Sequence, residues 1–157
     1  MACRRFNAPL LCAFLVGSAA CVSHPPGWAS LAAGNVRTLC AALEQYKATC
    51  EAYPDDLTRL APPSRGAKPT CERLGVVSDA VLVESLLLSP RPSSPNYTFA
   101  YVPDAPLTSP RGGFAHYQLR ATYIGKDRAQ PSFWVSDAGR MTVAKGHPAS
   151  ASDEAMP

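Results

Sequence analysis

Few side chains in this chain could do chemistry, and they are scattered. The three histidines are His24, His116 and His147. His24 falls in a proline-rich segment, His116 on the outer face of an expected strand, and His147 in the last dozen residues. Nucleophilic catalysis needs a nucleophile, a base and an orienting group within reach, and none of these placements supplies all three. There is no GxSxG turn to expose a serine. "SPRGGF" is a turn before a strand rather than a phosphate-cradling loop. Asp55 and Asp56 are adjacent carboxylates, but next to Pro54 they read as a helix cap rather than an acid/base pair. No CxxC or His-rich spacing suits zinc. The sequence therefore assigns no catalytic residue, no metal ligand and no cofactor.

The cysteines carry more information, because the N-terminal segment decides how to read them. Arg4 and Arg5 precede the apolar run "PLLCAFLVG" and the small residues "SAAC". That order is a secretory signal over residues 1–20, and its apolar run is shorter than the roughly 20 residues a membrane span needs. Cleavage after Ala20 would leave Cys21 first. This N-terminus resembles that of bacterial lipoproteins, in which the mature first cysteine takes the lipid, although Ser18 stands where that family usually carries Leu or another aliphatic residue. Ser18 and Ala20 also suit the ordinary signal peptidase. The expected location is the bacterial cell envelope, membrane-anchored through lipid; the alternative is a soluble periplasmic or secreted protein. Residues 21–27 form a short tether, in which Pro25 and Pro26 resist helix. Outside the cytosol Cys40, Cys50 and Cys71 can oxidise. Cys40 and Cys50 lie about 15 Å apart along one helix, beyond disulfide reach. A Cys50–Cys71 bridge is expected, closing the proline-rich loop between them. The other readings are three buried thiols or, if Cys21 stays free, one of three pairings of four cysteines.

The elements that must position these groups follow from periodicity. Val36, Leu39, Leu43, Tyr46, Cys50 and Tyr53 recur at steps of 3 and 4, while Arg37, Glu44, Lys47 and Glu51 fall elsewhere. This predicts one amphipathic helix from Trp28 to about Ala52, ended by Pro54. Asp55 or Asp56 then caps a short turn through Leu57 and Leu60. "APPSRGAKPTC" reads as a loop, and "SDAVLVESLLLS" as a short, largely buried helix. Past "PRPSSP" the period becomes two. "NYTFAYV" alternates, the loop "PDAPLTSPRGG" follows, and "AHYQLRATY" places Tyr117, Leu119, Ala121 and Tyr123 on one face. "SFWVS" and "RMTVA" flank a tight turn at Asp137 and Gly139. Residues 146–157 lack a core pattern and are expected to fray. The fold class is α+β, with a long N-terminal helix on three or four antiparallel strands, short helices between, and one domain over residues 28–145. Without Arg4 and Arg5 the chain carries 13 basic against 12 acidic groups, so no basic surface argues for nucleic acid.

The order of "AAGNVRTLCAALEQYKAT", "YPDDLTRLA", "NYTFAY", "YQLRATY" and "FWVSDAGRMTV" resembles the globular head of type IV pilins and of the pseudopilins of type II secretion, over roughly residues 29–145. The resemblance implies a pilin-head-like fold and a non-enzymatic, structural or partner-binding role, with an envelope or secretion-system protein as partner. In that family the head's helix continues an N-terminal membrane stem behind a "GFTLIE"-like cleavage site. Here "VSHPPG" precedes the helix instead, so the stem is replaced by a signal and a tether. Some pseudopilins hold calcium in a loop near the sheet. Asp104, Asp127 and Asp137 lie in loops here, but they are isolated and read as turn residues. The alternative function is a small exported enzyme or ligand-binding protein on a similar frame.

Overall fold

The computed structural model describes residues 27–108 and 112–156. The expected signal segment 1–20, the expected lipidation site Cys21, His24 and all of the expected tether except Gly27 lie outside the described residues. Helix α1 runs Trp28–Cys50 and buries Ala32, Val36, Leu39, Leu43, Tyr46 and Cys50. That is the apolar stripe read from the sequence. The helix stops two residues earlier than expected because Glu51 turns left-handed (φ 68°) and its N–H closes on the Lys47 carbonyl. Tyr53 then exchanges both backbone hydrogen bonds with Phe114, at 2.9 and 3.0 Å. This pulls the chain into extended geometry just before Pro54.

Asp56 caps a 3₁₀ turn at Leu57–Leu60 by accepting from the Thr58 N–H at 2.6 Å. A second helical segment, α2, spans Ala80–Leu82 and is capped by Asp79, which accepts from the Val81 and Leu82 amides. It continues as a π-helical turn, Val83–Leu87, closed by the Leu88 N–H on the Val83 carbonyl. This segment was expected to be largely buried. Only Leu86 and Leu87 are, while Val81 is 74% exposed. One wide turn aims few side chains inward, so an apolar run of this length overstates its burial.

The sheet is a six-stranded antiparallel meander in sequence order: β1 (Ser93–Ser94), β2 (Tyr97–Pro106), β3 (Phe114–Tyr123), β4 (Pro131–Ser136), β5 (Met141–Lys145) and β6 (Glu154–Ala155). Three or four strands were expected. The long ones are β2 to β5, and the two-residue strands that close each edge are too short to show alternation. β2 also runs through "PDAP", read as loop; Pro103 and Pro106 are tolerated because β2 has no partner on its far side beyond β1. Against α1 the sheet presents Tyr97, Phe99, Tyr117, Leu119, Ala121, Phe133 and Val135. The register carries this face from strand to strand, with Ala121 opposite Phe133 and Phe133 opposite Val143.

Residues 146–157 were expected to fray, and the described part of them does not. Ala149 is buried against Trp134 and Ala144 on the sheet's other face. The Asp153 carboxylate accepts from both the N–H and the hydroxyl of Ser150, at 2.7 Å each. Thr142 donates to the Ser150 carbonyl at 2.6 Å, and the Met156 N–H to the Met141 carbonyl at 2.8 Å. A polar turn fastens this segment, which is why it shows no apolar period.

Candidate functional site

A cleft of about 570 Å³ lies at the C-terminal end of α1. Three pieces of chain meet there. The disulfide Cys50–Cys71, with Cα atoms 5.9 Å apart, brings the loop after the 3₁₀ turn back to the helix end. The Tyr46 hydroxyl donates to the Cys71 carbonyl at 2.6 Å and fixes the same strap from one turn earlier. The opposite wall is the end of the β2–β3 hairpin, with Leu107, Gly112, Gly113 and Phe114. Gly113 is required there. Its φ is +95°, and a Cβ would stand 2.5 Å from the Ala52 Cβ.

Arg59 dominates the charge of this cleft. Its guanidinium forks onto Asp55, reaches Glu72 at 3.0 Å, and donates to the Cys71 carbonyl at 3.4 Å. The Arg59 bond holds the Asp55 carboxyl below its usual range. Burial raises the Tyr46 phenol, which stays protonated as a donor. Every ionic group described in the cleft has a partner within it. The arrangement offers shape, apolar wall and backbone polar groups for contact. Sequence reasoning found the disulfide and Asp55 but missed the Arg59 fork and the hairpin wall. The i,i+4 spacing of Asp55 and Arg59 was the available signal; the hairpin wall is a long-range contact with none.

A second polar group lies at the middle of α1. The Tyr53 hydroxyl donates to the Glu44 carboxylate at 2.7 Å, and the Lys47 ammonium sits 4.5 Å from the Tyr53 ring centre. Tyr53 meets Tyr117 edge to face at 4.7 Å. Burial raises both the Tyr117 phenol and the Cys40 thiol. Cys40 is therefore a shielded, weakly acidic thiol, the opposite of a reactive one.

The remaining candidates stay apart. His116 Nδ1 and an Asp137 oxygen are 2.6 Å apart at the sheet's outer face. His147 donates to the Pro148 carbonyl at 2.9 Å. Asp127 accepts from Ala129 and Gln130 and closes its own turn, whereas Asp104, read as a loop residue, lies within β2 and accepts from the Ala105 N–H. Among the described residues no group of three or more His, Cys, Asp or Glu could hold a metal ion. No described helix is long and apolar enough to cross a membrane. Compared with models of protein families, with curated proteins and with solved structures, the chain finds no match.

Proposed function

We propose that the protein is an exported, envelope-attached, pilin-like head that serves as a structural or partner-binding module rather than an enzyme. The observation that carries this reading is the cleft at the far end of α1. Its ionic groups pair with one another, its strap is fastened by a disulfide, and its opposite wall is formed by Leu107, Gly112, Gly113 and Phe114. Such a surface favours contact with a partner and holds no group poised to react. A single helix lying across an antiparallel meander supports the pilin-head resemblance, and the disulfide supports an oxidising compartment. The anchor is lipid on Cys21, and the partner is an envelope or secretion-system protein.

A photo-crosslinking residue at Leu107, in whole cells, tests the partner. The reading expects a discrete adduct in the envelope fraction that disappears when the cleft is blocked by Gly112→Trp. Labelling at Leu107 no stronger than at Val102, which is exposed on the sheet away from the cleft, would contradict it. A ligand-binding reading draws on one observation, the cleft's volume, which lies in the range of small-molecule sites.

A further inference from the structure

The other end of α1 carries an apolar groove of about 330 Å³ that the cleft does not account for. Leu31 and Asn35 of α1 form one side, and Val81, Leu82 and Pro95 the other. Trp28 lies one helical turn before Leu31, on the same side of the helix. Leu31 is 39% and Val81 74% exposed where they line the groove, and Trp28, one turn before Leu31, is 50% exposed. The charged group lining the groove is Asp79, whose carboxylate accepts from the Val81 and Leu82 amides. Among the described residues no cation lines it to select anionic headgroups.

Chain length says what meets this patch. Seven residue steps separate Cys21 from Trp28, which reach about 25 Å at full extension. An acyl chain on Cys21 therefore holds this end of the domain within that distance of the bilayer. Tryptophan beside aliphatic side chains is the composition that settles at a membrane–water interface. We propose that the Trp28–Leu31–Val81 patch rests on the neutral bilayer surface that carries the anchor, so that the domain stands in a fixed orientation instead of swinging on its tether. This rests on the acylation of Cys21.

The two tryptophans make it testable. Protein purified from membranes, its acyl mass at Cys21 verified by intact mass spectrometry, is placed in phosphatidylcholine vesicles with or without bromine on the lipid chains. In Trp134→Phe, where Trp28 alone emits, brominated lipid should remove most of the emission. In Trp28→Phe the remaining Trp134, 8% exposed beneath Ala149, should not change. Val81→Asp, at a site too exposed to affect folding, should weaken quenching in the chain with both tryptophans. Acylated, vesicle-bound protein whose Trp28 emission is the same in both lipids would overturn the proposal. So would an unlipidated Cys21→Ser protein whose Trp28 already emits blue and resists acrylamide without vesicles; the groove would then belong to residues 22–26 or to a second copy. A mass without lipid at Cys21 would instead remove the anchor, and the proposal with it, and the mass readout tells these failures apart.

Discussion

Leu43 and Glu44 are neighbours on α1 with opposite surroundings. Leu43 is fully buried beneath the sheet, so Leu43→Ala should destabilise by roughly 2–5 kcal/mol in a urea melt. Glu44 lies off the stripe, and periodicity alone makes it a bystander. Its carboxylate nevertheless accepts from the Tyr53 hydroxyl, so Glu44→Ala should destabilise by about 1 kcal/mol. Equal midpoints for the two variants would show that the wrong face of α1 had been placed inward. The pair also shows what a sequence discloses at this scale. A buried leucine repeats with the helical period. A glutamate that meets a tyrosine nine residues on, past the helix end, leaves no periodic trace. The Arg59 fork was half visible for the same reason: Asp55 is local, whereas Glu72 arrives with the strap.

Among the elements, the strap after the 3₁₀ turn and the hairpin end are held by different means, and separate variants test them. The disulfide encloses about twenty residues of proline-rich loop, so Cys71→Ser with Cys50→Ser should lower stability by about 3 kcal/mol in the loop-entropy account. Reductant should then have no further effect on the double variant; an unchanged melt would mean that Tyr46 and Arg59 already hold the strap. Gly113→Ala forces a left-handed residue against Ala52. It should destabilise by at least about 1–3 kcal/mol, read as a lower thermal midpoint, and retention of the wild-type midpoint would contradict the close approach of the two segments. What was legible was α1, the two alternating strands, and the pair of strands flanking the Asp137–Gly139 turn. The two-residue edge strands and the π-helical turn were not, because they complete no period. The C-terminal segment was misread because the Ser150–Asp153 turn and the small residue Ala149 hold it without an apolar pattern.

At the scale of the whole molecule, α1 holds two surface features apart. Helix α1 has 23 residues, or about 35 Å of rise, with the apolar patch at its start and the disulfide-bound cleft at its finish. A lipid on Cys21 would put the first end toward the membrane and carry the second away from it, where a partner can reach it. The core between them is rich in tyrosine, and this predicts how the fold responds to alkali. Burial raises the Tyr97 phenol from 10.0 to about 12, and raises Tyr53, Tyr101 and Tyr117 as well. A folded value above the unfolded one means stability is fully present below about pH 10 and is lost as pH climbs toward the folded values. The thermal midpoint should hold from neutral pH to about 10 and fall steeply from there toward 12. Phenolate absorbance should appear in step with unfolding. Gradual ionisation of Tyr53, Tyr97, Tyr101 and Tyr117 in the folded protein near pH 10 would contradict these upward shifts.

As proposed, the protein is an exported head, tied by lipid at one end and stapled by a disulfide at the other. Mass spectrometry of the mature protein taken from membranes, as intact mass and as a non-reducing peptide map, reads both ties at once. The expected result is a chain beginning at Cys21 with added acyl mass, the Cys50 and Cys71 peptides joined, and Cys40 free. A soluble chain beginning elsewhere, with Cys21 unmodified or with Cys40 taking Cys71, would contradict it.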